Sequence, residues 1–156
     1  MSKNEPGATR RAVLLGTLAG SVAVTIRLEP AQATPERMRT AIRNVVGEAS
    51  IRKGRVELEV PPLVENGNTV ALSVAVDSPM TATDYVKALN VFNEKNPQPN
   101  VISVHLGPRA GKAKISTRFR LADSQMVTAI AEMSDGTFWS ASADVIVTLA
   151  ACVEGI

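Results

Sequence analysis

The side chains of this 156-residue chain that could do chemistry are few: one cysteine, one histidine, one tryptophan and one tyrosine. Cys152 stands out by position. It lies three residues beyond the last alternating apolar segment, Asp144–Leu149, in the tail Ala150-Ala151-Cys152-Val153-Glu154-Gly155-Ile156. In extended geometry three residues carry the sulfur up to ~10 Å past that segment, and the whole tail reaches ~25 Å. A thiol attacks as its anion, and a peroxidase-type or protease-type cysteine keeps a cation or base beside it for that purpose. The tail holds no Lys, Arg or His, and the carboxylate of Glu154 works against the anion. Such a thiol reads as an attachment point activated by something else. The competing reading is a small apolar residue packed under the edge of the fold, as free cysteines often are.

The remaining reactive groups form no constellation. A single cysteine excludes an internal disulfide, a cysteine zinc cluster and a Cys-x-x-Cys redox pair. A single histidine argues against an all-protein catalytic metal site, so a metal hydrolase is excluded and no metal or other cofactor is expected. His105 alternates with apolar neighbours and reads as a satisfied strand histidine. Asp123, Glu132 and Asp135 read as turn or solvent-face acids without the fixed spacing of an acid/base pair. Asp84 and Asp144 read as strand-start carboxylates, and Phe138 and Trp139 as anchors of a core or an interface.

The elements that must position Cys152 follow from periodicity. Thr34-Pro35 offers a hydroxyl N-cap and a proline at the first helical position. Met38, Ala41, Ile42, Val45 and Ala49 recur at spacings of three and four, which predicts one amphipathic helix from Pro35 to Glu48. From Arg55 the period becomes two: Val56, Leu58 and Val60 alternate with glutamates until Pro61-Pro62. Glu65-Asn66-Gly67-Asn68 signals a turn before Val70–Val76. Tyr85–Phe92 fits helix or strand, and its surroundings favour strand. Val101–Leu106, Lys112–Leu121, Met126–Met133, Thr137–Ser140 and Asp144–Leu149 complete the set. Seven or eight short strands with regular turns predict a mainly β protein, an immunoglobulin-like antiparallel sandwich with one N-terminal helix. Gly-rich phosphate loops, βαβ alternation and internal repeats are all missing. Val101–Leu106 carries little charge to blunt it as an edge, so a related β-domain is expected to cover it.

Residues 1–33 read as an export signal rather than as part of the fold. Arg10-Arg11 precede an uncharged stretch from Ala12 to Ile26, and Ala31-Gln32-Ala33 supplies a small-x-small cleavage pattern. The arginine pair and the mildly apolar, Gly-containing stretch suggest the twin-arginine route, hence a periplasmic product with no membrane association after cleavage. Cleavage after Ala33 leaves 123 residues, 34–156. It removes Lys3, Arg10, Arg11 and Arg27 along with Glu5 and Glu29, so the formal charge of +2 falls to zero. Without a basic patch there is no footprint for nucleic acid.

Blocks spread along the chain carry a resemblance. Leu63-Val64-Glu65-Asn66-Gly67-Asn68, Val76-Asp77-Ser78-Pro79-Met80 and Tyr85-Val86-Lys87 are three of them. The others are Asn93-Glu94-Lys95-Asn96-Pro97, Leu121-Ala122-Asp123-Ser124-Gln125 and Ala131-Glu132-Met133-Ser134-Asp135-Gly136-Thr137-Phe138-Trp139. In this order, spanning most of Ala41 to Cys152, and with the leader and the late cysteine, they resemble the SoxY family of sulfur-oxidation carriers. The resemblance implies a periplasmic immunoglobulin-like carrier, not itself an enzyme, that pairs with a SoxZ-like β-sandwich subunit. It implies that Cys152 holds the sulfur substrate covalently while separate proteins act on it. These are a c-type cytochrome that couples thiosulfate to the thiol, a hydrolase that releases sulfate and, in some systems, a sulfur dehydrogenase.

The tail departs from the family pattern, in which glycines flank the cysteine on both sides. Here Ala150 and Ala151 precede Cys152, Val153 and Glu154 follow it, and Gly155-Ile156 extend the chain. Glycine gives an arm free φ/ψ choice and no bulk, whereas Val153 is stiff and Glu154 is charged. Co-adapted partners are one reading. A divergent relative is the other, either carrying a different sulfur compound or serving as an interaction module with a silent Cys152.

Overall fold

The computed structural model describes residues 34–151; residues 1–33, read above as an export signal, and Cys152–Ile156 lie outside them. Helix α1 spans Pro35–Val46. The Thr34 hydroxyl accepts the Arg37 amide at 3.3 Å to open it, and Gly47, at φ 65°, ends it. The strands are β1 Ile51–Lys53, β2 Val56–Glu59, β3 Leu63–Asn66, β4 Val70–Val76, β5 Val86–Asn93 and β6 Asn100–His105. Then come a 3-10 turn at Pro108–Ala110, β7 Lys114–Phe119, β8 Gln125–Met133 and β9 Phe138–Leu149. Among the described residues no helix is long and apolar enough to cross a membrane.

Three layers result. The larger sheet runs β1-β9-β8-β5-β6, with β3 added beside the far end of β9; the smaller runs β2-β4-β7. Between the sheets lies the main core, including Val70, Leu72, Val74, Leu89, Val91, Leu121, Val127 and Met133. Helix α1 covers the outer face of the larger sheet, where Met38 and Val46 meet Phe92, Ile130 and Phe138. The mainly β, immunoglobulin-like sandwich with an N-terminal helix is therefore what the chain forms.

The layering explains why Tyr85–Phe92 resisted assignment. β5 sits in the middle of the larger sheet with apolar layers on both faces, so seven of its eight residues are buried. A strand covered on both sides loses the alternation that identifies a half-exposed one.

Three features differ from the sequence reading. Thr137–Ser140 and Asp144–Leu149 are one strand of twelve residues, β9. The small residues Ala141-Ser142-Ala143 between them pair with Ala129, Thr128 and Val127 in turn rather than breaking the ladder. Asp144 accordingly lies within β9 opposite Met126, not at a strand start. β1 and β3 were not expected, and both pair parallel to β9, so the sandwich is not wholly antiparallel. The Asn66 side chain accepts the Asn68 amide at 2.9 Å, so the turn begins only there and Leu63–Glu65 remain extended. Val101–Leu106 behaves as expected: its strand, β6, pairs with β5 alone and is a sheet edge.

Candidate functional site

Cys152 and the tail residues Val153, Glu154, Gly155 and Ile156 lie outside the described residues. What the structure describes is the ground from which they start. β9 ends at Leu149, Ala150 is exposed, and Ala151 is buried again at 7% exposure. Ala151 is therefore held by the body of the sandwich. The reach measured from Leu149 shortens accordingly. The Cys152 Cα lies about 3.8 Å from that of Ala151, and its sulfur at most ~7 Å away.

The anchor is a chain of three backbone hydrogen bonds joining three segments. The Gly67 amide donates to Leu149 O at 2.8 Å, Leu121 N donates to Gly67 O at 2.8 Å, and Ala151 N donates to Leu121 O at 3.1 Å. Gly67 is the centre of it. A Cβ there would stand 2.4 Å from Leu121 O, 2.8 Å from Ala151 N and 3.1 Å from a Val147 methyl. Two of those three neighbours are backbone atoms, which cannot rotate away. Only glycine lets the three segments approach this closely.

Side chains brace the surrounding loops. The Ser124 hydroxyl accepts Val147 N at 2.9 Å, which fixes the loop after β7 to the last turn of β9. Asn96 Oδ1 accepts Ala122 N at 3.0 Å and Gln125 Nε2 at 3.1 Å, while Asn96 Nδ2 donates to Arg120 O at 2.8 Å. Lys95 N donates to Gln125 Oε1 at 2.7 Å, and Lys95 Nζ meets Asp123 Oδ2 at 2.7 Å. The hydrogen bond from Lys95, then that from the Ser124 amide, hold the Asp123 carboxyl below its ordinary value. Three blocks that carried the resemblance (Leu63–Asn68, Asn93–Pro97 and Leu121–Gln125) thus converge at the root of the tail.

The opposite end of β9 gathers the other three. Arg55, at the unusual φ of 52°, donates from Nε to Asp77 O at 2.9 Å and lies 3.6 Å from Asp84. The guanidinium groups of Arg52 and Arg55 stand 5.7 and 5.8 Å from the Trp139 ring centroid. Trp139 Nε1 donates to the Thr137 hydroxyl at 3.2 Å, and that hydroxyl donates to Asp135 at 2.7 Å. Ser134 links Tyr85 N at 3.1 Å to Thr83 O at 2.9 Å. Hydrogen bonds from the Thr137 amide and hydroxyl lower the Asp135 carboxyl below its ordinary value. Trp139 is thus part of a side-chain clasp, and Phe138 is a core residue under α1.

Among the described residues, the charged groups at the tail root, Lys95 and Asp123, are paired with each other. His105 is exposed at the end of the edge strand β6. Glu132 pairs with Lys87, whose ammonium is raised above its ordinary value by that hydrogen bond. Among the described residues no group of three or more His, Cys, Asp or Glu is placed to hold a metal. A cleft of about 1040 Å³ over β2, β4 and β7 is lined by Leu58, Glu59, Ser73, Ser116 and Arg118, among others, and holds none of the tail-root residues. Sequence reasoning singled out Cys152 but missed Gly67, whose role depends on contacts distant in sequence.

The sequence profile of the family "Sulfur oxidation protein SoxY" matches residues 42–152, from the middle of α1 to the cysteine itself. The chain belongs to the SoxY family. Among solved structures, the sulfur carrier protein SoxY from Chlorobium limicola f thiosulfatophilum is 25% identical, with a TM-score of 0.62 over 73% of this chain and 98% of that one. A superoxide reductase (neelaredoxin) variant from Ignicoccus hospitalis is 17% identical, with a TM-score of 0.54 over 73% of this chain and 92% of that one. A putative superoxide reductase from Thermotoga maritima is 19% identical at a TM-score of 0.51, covering 65% and 89%. The last two share the SoxY sandwich and nothing further is drawn from them. Comparison with curated proteins returns no match.

Proposed function

We propose that this SoxY chain is a covalent sulfur carrier in thiosulfate oxidation, with Cys152 as the attachment residue. The observation that carries the reading is the family match, which runs through the body of the domain and ends on that cysteine. The 25% identity to a SoxY sulfur carrier supports it. So does the anchor at Ala151, which ties the residue immediately before Cys152 to the body of the sandwich. A carrier needs little more: a nucleophile, a fixed origin for it, and no local base that would commit it to one reaction. In the proposed cycle a c-type cytochrome removes two electrons as the thiol and thiosulfate join, with loss of the thiol proton. A hydrolase then uses water to release sulfate and leaves a persulfide, which a sulfur dehydrogenase takes further where one is present.

The twin-arginine-type leader supports a periplasmic site of action. The unpaired edge of β6 supports a β-sandwich partner of the SoxZ kind, since an open edge that carries little charge invites pairing. Intact-mass measurement tests the attachment: the mature protein is purified without reductant from thiosulfate-oxidising cells. A sulfur-containing adduct on Cys152, released by a thiol reductant and lost in Cys152→Ser, is expected. Normal thiosulfate oxidation by cells carrying only Cys152→Ser would overturn the reading. An unmodified mass would favour a divergent relative with a silent cysteine.

A further inference from the structure

Five strands of the described structure have a neighbour on one side only: β1, β2, β3, β6 and β7. Four of these edges carry charge, from Arg52 in β1, Glu59 in β2, Glu65 in β3 and Lys114 in β7. Charge on an edge keeps foreign strands away. β6 holds no Lys, Arg, Asp or Glu. Its main chain is also open in a regular way. The Leu106 amide donates to Lys87 O at 2.9 Å, and Ala88 faces His105 in the ladder. Antiparallel pairing alternates, so Val104 and Ile102 turn their main-chain groups to β5 while those of Ser103 and His105 turn outward.

The ground beside that edge is positively charged. A groove of about 410 Å³ is lined by Asn100, Val101 and Ile102 of β6 and by Arg118, Phe119 and Arg120 around the end of β7. Both arginines are exposed, and among the described residues neither makes an ion pair. We propose that β6 is extended by a strand of a partner protein that carries Asp or Glu at the end lying against Arg118 and Arg120. This rests on the reading above that a β-sandwich subunit covers β6, and it adds the chemistry by which that strand is recognised. Main-chain bonds to Ser103 and His105 would hold any extended segment. The arginines select among such segments, because carboxylates complete charge-assisted pairs with them and cations are repelled. The charge lies at one end of β6 only, so it also fixes which end of the partner strand sits there. A second copy of the chain lacks this complementarity. Paired two-fold and antiparallel on β6, it sets its own His105 end, with the exposed Arg109 just beyond, beside Arg118 and Arg120. That places cation against cation.

Calorimetric titration of the full chain with the SoxZ-like subunit, each produced alone, is the test. Arg118→Glu with Arg120→Glu is expected to weaken binding at least tenfold, and the salt dependence of the wild-type affinity should flatten. Lys53→Glu, a charge reversal on the β1 edge, stays within twofold of wild type. His105→Pro removes an outward main-chain donor without touching the bonds to β5 and is expected to cost at least tenfold as well. Should His105→Pro fail to fold, the arginine variant, altered only at exposed side chains, still decides. Undiminished binding in the folded arginine variant, or an equal loss in Lys53→Glu, would overturn the acidic strand. Wild-type affinity in folded His105→Pro would place the subunit elsewhere and overturn the covering of β6 too. A dimer of the chain alone that His105→Pro dissolves would give the edge to a second copy and overturn the proposal as well. If the wild-type chain does not bind the subunit, the partner reading fails and this inference with it. The carrier reading, tested by the adduct on Cys152, stands or falls separately.

Discussion

At the Phe138 end of β9, Trp139, Arg52, Arg55, Asp77, Asp84, Thr137 and Asp135 hold one another through ring faces, guanidinium groups and hydroxyls. At the Leu149 end, about 36 Å away along the strand, the tail is held by three successive backbone hydrogen bonds through Gly67 and Leu121. The first end is a clasp of side chains, any one of which can be shortened without moving the backbone. The second is a contact between main chains, with side chains bracing only the loops behind it. A backbone anchor fixes where a tail begins whatever the identity of its residues. Here it fixes Ala151, the last residue before Cys152, through its own amide rather than its side chain.

The substitution that most directly separates the two ends is Gly67→Ala. Its Cβ has no place 2.4 Å from one backbone atom and 2.8 Å from another, so the segments must move apart, at a cost of ~2–3 kcal/mol. Denaturant unfolding should show that loss. Amide exchange at Ala151 should accelerate, and Cys152 should label faster because its origin is no longer fixed. Unchanged labelling and exchange alongside lowered stability would mean that the anchor does not govern the thiol.

Trp139→Ala is the counterpart at the other end. It removes two guanidinium–ring contacts and a half-buried indole, a loss of ~2 kcal/mol by the same measurement. Cys152 labelling and the Ala151 amide should be unaffected. An effect on either would show that the two ends communicate along β9.

Ser124→Ala removes the hydroxyl that accepts Val147 N and leaves a strand amide near the tail root without its partner, for ~1 kcal/mol. Here a modest rise in Ala151 exchange is expected, well below that of Gly67→Ala. An unchanged exchange rate would show that the backbone chain holds the tail without help from this brace.

Acid gives the smallest effect. Asp123 and Asp135 both have lowered carboxyl values in the folded protein. Their contributions are complete above the ordinary carboxylate range near ~3.9 and are lost as pH falls through the lowered values. Lys87 runs the other way: its raised value adds stability that is complete below the ordinary lysine value and lost as pH rises through the folded one. A folded-state titration followed at Ala151 and Trp139 should show a small loosening of both ends below about pH 4. Asp123→Asn should remove that response at the Ala151 end only.

Much of this protein was legible in one dimension. Thr34-Pro35 and the three/four spacing from Met38 specify α1, because capping and amphipathicity are local. Alternation in Val70–Val76 and Lys114–Phe119 specifies strands, because each has one face on the core and one exposed. Cys152 was singled out by its rarity and its place after the last strand. Tertiary structure decided what depends on distant partners. β1 and β3 are strands because β9 lies beside them, and β5 is apolar on both faces because α1 and the smaller sheet cover it. β9 runs unbroken because its small middle residues have neighbours to pair with. Gly67 reads as an ordinary turn glycine in sequence; three segments meeting at its missing Cβ make it the anchor of the tail. The sequence determined that a lone thiol follows a β-domain. Only the packing of Gly67, Leu121 and Ala151 decided where that thiol starts, because closeness between backbones leaves no pattern in the residues that flank it.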